Sequence, residues 1–268
     1  MALYKTRAVV IGRRALGESD RLVDFYTRDF GKVRGVAKSA RRPRSRFGSA
    51  LELFTLGELV FFDAGRSDLV RVDDFDIVRS FVGVREHLER LGQGAWTVEC
   101  VARLTADRDP HPALFGLLVR GLKALERGAP PQRVATCFGL RAVDLLGHRP
   151  RIDRCVGCGR IYPFPEATLD MTAGGLVCGA CGAGADALPL SGAVVGTLKR
   201  LRALGWEEAL GLPLAPALDR ELSVVLEGLI ARLMGRYPMA SRFLTQTRRG
   251  LLQVAEPPAP HPGGTRAR

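Results

Sequence analysis

Residues 17–62 read GESDRLVDFYTRDFGKVRGVAKSARRPRSRFGSALELFTLGELVFF. Three apolar, β-branched or aromatic runs lie inside this stretch, at Arg21–Thr27, Lys32–Ala37 and Leu51–Phe62, each of strand length. Turn chemistry separates them. Gly17-Glu18-Ser19-Asp20 precedes the first, Asp29-Phe30-Gly31 the second, and the Arg41–Ser49 stretch the third. Outward from this block, Leu3–Gly12 reads as a strand before it. Asp68–Val78 reads as another after it, beyond the turn Ala64-Gly65-Arg66-Ser67. Five short strands within residues 1–80 predict a small closed barrel, of which the five-stranded OB-fold is one common form. An SH3-like barrel gives nearly the same pattern.

After Val78 the period changes. Leu88, Leu91, Ala95, Val98 and Ala102 recur at three and four residues, which marks one face of a helix. Further helices are expected at Pro112–Glu126, Pro131–Leu146, Gly192–Leu204 and Pro216–Tyr237, with Pro131 in a first turn and Ser191 as an N-cap. Residues 150–189 interrupt this series with a segment rich in Gly, Cys and Pro, too irregular for a helix and held by something other than a core. The expected class is therefore α+β and multidomain. A barrel occupies 1–80 and a helical domain 81–250, with an insertion at 150–189. The tail 251–268, rich in proline and nearly free of apolar bulk, is expected to be disordered.

The insertion holds Cys155-Val156-Gly157-Cys158 and, 19 residues on, Cys178-Gly179-Ala180-Cys181. Two CxxC turns at this separation match the spacing of a four-cysteine zinc site. Each turn aims two sulfurs at one point, and Gly157, Gly159, Gly179 and Gly182 let backbone NH groups approach them. Together the turns close a tetrahedron with no open position, which makes the site structural. An iron–sulfur cluster is the alternative on ligand type. Cys100 and Cys137 lie on helical stripes and read as small core residues.

Of the 268 residues, 40 are Lys or Arg and 28 Asp or Glu, a formal charge of +12. Such a surplus repels itself unless a polyanion meets it. The charge clusters in Lys32–Arg46, KVRGVAKSARRPRSR, with seven basic residues and no acidic one. Alternation places Lys32, Arg34 and Lys38 on one strand face, and Arg41, Arg42, Arg44 and Arg46 on a flexible loop. This stripe can track a phosphate backbone without reading base edges. Phe47, Tyr26 and Phe25 are candidates either for stacking on bases or for the barrel core, with core favoured for Phe25. The N-terminus is broken by Lys5, Arg7, Arg13 and Arg14 before any signal-peptide run forms. No window reaches the about 18 apolar residues of a spanning helix, so a cytoplasmic location without membrane contact is expected.

No Walker loop, HExxH, GxSxG or strand-borne GxGxxG occurs. Asp73, Asp74 and Asp76 are the only carboxylate cluster that suggests a metal-dependent nuclease, and alternation divides them between two faces of a strand. An RNA-binding or ribosome-associated zinc protein is a further alternative.

Taken together, these residues resemble the RecO family of bacterial recombination mediators. The resemblance rests on the GESD turn, the strand ending FYTRDFGK, the basic ARRPRSR segment and the LELFTLGEL strand. The helical pattern, the CxxC pairs and Ser241-Arg242 match more loosely. Some members lack the cysteines; this sequence keeps all four. The resemblance implies an N-terminal OB-fold, a helical domain with a zinc-binding insertion, and no enzymatic turnover. It further implies binding of single- and double-stranded DNA, annealing of complementary strands, and a nucleoid-associated location. With RecR, such a protein loads RecA onto strands coated by single-stranded DNA-binding protein (SSB). It also implies a site on the helical domain for the acidic C-terminal tail of SSB, for which Arg120, Lys123, Lys199, Arg200 and Arg202 are the basic candidates.

Overall fold

A computed structural model describes residues 2–65, 67–185 and 187–235. The tail at 251–268 and the Ser241-Arg242 pair lie outside the described residues. Five strands, β1 (Ala2–Leu16), β2 (Asp20–Thr27), β3 (Gly31–Ala37), β4 (Leu56–Asp63) and β5 (Leu69–Arg79), close into a barrel in the order β1-β2-β3-β5-β4. β4 returns to β1, and every pairing is antiparallel except β3 with β5, which is parallel. That crossover order is the OB arrangement and sets the SH3-like alternative aside.

Alternation fills both faces of the first strand. Ala8 and Val10 point into the barrel with Val23, Phe25, Val33, Leu59, Phe61 and Val72. Val9 and Ile11 point out and join a second, larger core formed with the helices.

β4 begins at Leu56, five residues later than Leu51–Phe62 predicts. Residues 38–55 instead form successive three-residue turns, among them Ser45 N to Arg42 O, Gly48 N to Ser45 O and Ala50 N to Phe47 O. These turns send Phe47, Ala50 and Leu51 into the barrel, while Phe54 (φ 72°) swings the other way, into the helical core. The apolar spacing of Leu51-Glu52-Leu53-Phe54 imitates a strand, but it is the turns that bury Leu51 and Phe54, three residues apart, in different cores. The loop is thus anchored along one side rather than free.

Helices α1 (Val82–Arg85), α2 (Leu88–Leu104), α3 (Pro112–Glu126), α4 (Pro131–Leu145), α5 (Gly192–Ala203), α6 (Trp206–Gly211) and α7 (Pro216–Leu233) follow. The Ser191 hydroxyl caps α5 by accepting from Val194 N at 3.2 Å. Tyr26, Phe54 and Leu56 from the barrel pack into the helices' core, with the Tyr26 ring 6.4 Å from that of Phe115. Gly31 shows how close the approach is. Its φ of +61° suits the turn, and a Cβ there would meet the Asp109 backbone. Cys100 and Cys137 are buried, and burial pushes both thiols up, Cys137 to about 11.

The insertion folds as a sheet of β6 (Thr168–Asp170), β7 (Gly175–Val177) and β8 (Leu188–Pro189), ordered β7-β6-β8. It does not lack a core, contrary to the reading of its sequence. Ile152, Phe164, Leu169 and Leu176 are buried in the helical core. No helix among the described residues is long and apolar enough to cross a membrane.

Candidate metal centre and nucleic-acid surface

The two CxxC turns meet as their spacing predicts. The sulfurs of Cys155, Cys158, Cys178 and Cys181 all lie within 4.8 Å of one another, and those of Cys158 and Cys178 are 3.8 Å apart. A zinc ion with sulfurs at about 2.3 Å on tetrahedral corners separates them by about 3.8 Å. The spread therefore fits a single ion. Cys155 and Cys178 face the interior, while Cys158 and Cys181 face solvent.

Backbone NH groups of Cys158, Cys178 and Gly157 hold the Cys155 thiol down, to about 6. The surrounding sulfurs of Cys158, Cys178 and Cys155 push Cys181 up to about 12. Four thiolates this close coexist only around a cation. A Cβ at Gly157 would stand 3.1 Å from the Cys181 sulfur and crowd the centre. At the end of β6, Asp170 accepts from the NH groups of Thr172, Ala173 and Gly184, and these bonds lower its pKa.

On the barrel, the Lys32–Arg46 run divides into engaged and free cations. Lys32 donates to the Ala102 carbonyl at 2.7 Å and pairs with Asp107 at 3.0 Å. Arg34 pairs with Asp24, its cross-strand partner, and Lys38 with Asp20 at 3.1 Å. The Ser39 NH and the Lys38 ammonium together hold the Asp20 carboxyl below its usual range. Arg41 donates to the Gly17 carbonyl at 2.8 Å, which ties the loop to the first hairpin.

Arg42 and Arg44 are exposed and make no ion pair among the described residues, and Arg46 lies 5.0 Å over the Phe47 ring. Sequence reasoning missed Asp20, Asp24 and Asp107, because carboxylates paired across strands or from another domain leave no mark inside a basic run. The three aromatic candidates are all core: Phe25 and Tyr26 are fully buried and Phe47 is 3% exposed. None is placed to stack on a base.

Asp73, Asp74 and Asp76 sit on β5 beside a bulge between Val60 and Phe61 of β4. Asp73 pairs with Arg71 and Asp74 accepts from the Phe75 NH. Among the described residues the trio does not form a convergent ligand set, whereas the four cysteines do.

Of the basic helical candidates, Arg202 is committed to Asp144 by bonds of 2.9 and 2.7 Å. The Lys199 ammonium lies 4.9 Å from the Tyr162 ring centre. Arg120 and Arg200 are exposed and Lys123 is half-buried. Arg149, which sequence reasoning missed, stands near them at the root of the insertion; the run of three arginines in RPRIDR was the available signal.

Two family models match consecutive parts of the chain. "Recombination protein O N terminal" covers residues 1–81, and "Recombination protein O C terminal" covers 85–243. The chain is 36% identical over 247 residues to DNA repair protein RecO of Anaeromyxobacter sp. (strain K), covering 92% of this chain and 97% of that one. It is 39% identical over 212 residues to the protein of the same description from Rubrobacter xylanophilus, covering 78% and 84%. Against the one from Myxococcus xanthus it is 35% identical over 249 residues, covering 92% and 98%.

Proposed function

This chain belongs to the RecO family of DNA repair proteins, and from that premise we propose that it is a non-enzymatic recombination mediator. It binds single- and double-stranded DNA without sequence choice and anneals complementary strands. With RecR it loads RecA onto SSB-coated strands, at the nucleoid in the cytoplasm. The observation that carries the DNA-binding reading is the loop at 38–46. Its apolar side is fixed in the barrel by Phe47, while Arg42 and Arg44 stand exposed, with no ion pair among the described residues, beside Lys38, Arg41 and Arg46. Lys32 and Arg34 extend the same surface from β3 but first have to leave carboxylates. For the more exposed Arg34 pair that costs about 1 kcal/mol or less, whereas Lys32 would also give up its bond to the Ala102 carbonyl.

Annealing needs no bond to be made or broken. Screening the repulsion of two strands and holding them together is enough, and Arg contacts to phosphate are strong, non-specific and exchangeable. The four-cysteine centre holds a structural Zn²⁺ in this reading. Four converging thiolates with no open corner favour it, and bridged iron clusters would push the sulfurs further apart. The acidic SSB tail is met by the exposed helical cations, Arg120 and Arg200 first, with Lys123 and Lys199 behind them.

The test is annealing of complementary strands precoated with the cognate SSB, without ATP. Wild type accelerates it. Arg42→Ala, Arg44→Ala and Arg46→Ala together abolish the acceleration while leaving thermal stability unchanged. A triple variant that anneals at the wild-type rate overturns the site. Mg²⁺-dependent loss of a labelled strand, or preference for RNA over DNA of equal length, overturns the mediator reading itself.

A further inference from the structure

The root of the metal module carries cations that the barrel loop does not account for. Residues 149–153 leave α4 and enter the insertion, passing α5. Between them lies a solvent-open cleft of about 480 Å³ into which Arg149, Arg151, Lys199 and Arg202 project. Its floor is Pro150 and Ile152. Arg202 is neutralised by Asp144, and Asp153, the carboxylate on the rim, is taken by Arg154 at 3.0 Å. Arg149, Arg151 and Lys199 are left without an ion pair among the described residues. Arg151 also acts on Asp153, which it shares with Arg154, so the cleft's cations still outnumber its carboxylates, and an excess of positive charge around a concave site focuses potential there.

The backbone beneath them is held from several sides. Arg151 N donates to Gly174 O at 3.0 Å and Leu176 N donates to Arg151 O at 2.8 Å, so β7 fixes that residue. Arg202 donates to the Pro150 carbonyl at 3.3 Å, and the Lys199 ammonium rests over the Tyr162 ring. The charges are presented from α5 and from the module's root, each anchored separately, so little ordering is needed when an anion arrives.

We propose that this cleft is a second phosphate-binding site for nucleic acid, separate from the barrel loop, which lets one molecule hold two strand segments at once. The proposal rests on the DNA-binding reading above and deepens it. Guanidinium groups suit the bidentate geometry of a phosphate, and Arg149 and Arg151 both line the cleft.

The test compares full-length wild type with Arg149→Gln/Arg151→Gln, both zinc-loaded and matched in zinc content and thermal midpoint. Binding of a single strand is measured across a salt series. The slope of log K against log salt is expected to fall by about 0.7 for each phosphate no longer neutralised, and annealing is expected to slow by more than first-strand affinity declines. A second measurement needs no variant. A strand carrying photoreactive iododeoxyuridine, bound to wild type, should crosslink to peptides containing 149–153 as well as 38–46.

An unchanged slope, or crosslinks confined to 38–46, overturns the second site and leaves the DNA-binding reading intact. Wild type that ignores DNA in dilute buffer overturns both. A double variant that binds DNA normally but no longer captures a synthetic Asp-rich peptide assigns the cleft to an acidic protein segment, and that too overturns the proposal.

Discussion

The Lys32 ammonium reaches out of β3 to the Ala102 carbonyl and Asp107, while Arg42 and Arg44, in the same basic run, touch no carboxylate among the described residues. Equal charge therefore leads to unequal consequences. Lys32→Ala removes a buried-side hydrogen bond between barrel and helix and is expected to cost about 1 kcal/mol of stability, read by urea denaturation. Arg42→Ala/Arg44→Ala should leave that denaturation curve in place and weaken DNA binding in a filter or anisotropy titration.

Tyr26 makes a complementary case. Its hydroxyl is buried with no hydrogen-bond partner, and burial pushes its pKa upward. Tyr26→Phe is expected to leave DNA affinity unchanged and to raise stability by up to about 1 kcal/mol, since an unsatisfied buried hydroxyl is lost. A fall in DNA affinity would mean that the hydroxyl, and not only the buried ring, bears on DNA binding. Alternation along DRLVDFYT places Phe25 and Tyr26 on opposite faces, so the sequence could assign one of them to the barrel interior. It could not show that the other face is covered by Phe115 of α3.

At the scale of the element, the metal module was the most legible part of the chain, because metal geometry is encoded in short spacing: two CxxC turns and their glycines bring four sulfurs within 4.8 Å. Its attachment was not legible, because Phe164, Leu169 and Leu176 are spaced irregularly and their burial is completed by the helical core. The start of β4 was misread for a related reason, since the apolar spacing of Leu51–Phe54 comes from turns that plug the barrel and not from a ladder. Because the module shares the helical core, removing a metal held by its four cysteines should loosen more than a surface finger. Chelation, or Cys158→Ser/Cys181→Ser, is expected to lower the thermal midpoint of the whole helical domain, checked by calorimetry with zinc content measured in parallel.

Asp170 adds a pH signature to this module. Its carboxylate is stabilised by three NH groups, so its folded pKa lies below the unfolded value of about 3.9. The stability it contributes is fully present above that value and is lost as pH falls through the folded pKa. Asp170→Asn should therefore be less stable than wild type at pH 7, and the gap should close as the pH is lowered below about 4. A constant gap across that range in thermal melts would show that the carboxylate's charge is irrelevant.

For the whole molecule, the decisive fact is that one side of the barrel's outer surface is itself core. Val9, Ile11, Tyr26, Phe54 and Leu56 are as buried as the residues inside the barrel, and what covers them is the helical layer. Burying a large apolar side chain is worth about 1.5–3 kcal/mol, so five such residues bind barrel and helices far more tightly than the flanking ion pairs do. Arg79–Glu126 and Lys32–Asp107 then fix register rather than strength. Two consequences follow from that imbalance. Barrel and helices should unfold in one transition, with fluorescence of Trp96 in the helical core and near-ultraviolet dichroism of the barrel aromatics changing together as urea rises. A fragment ending at Arg79 should expose the five apolar residues, bind a hydrophobic dye and associate, whereas the same fragment with Val9, Tyr26 and Leu56 changed to Thr, Lys and Thr should stay dispersed. Two separate transitions, or a wild-type fragment that remains monomeric and dye-free, would mean that the shared core contributes little, and the basic loop would then move independently of the helical cations.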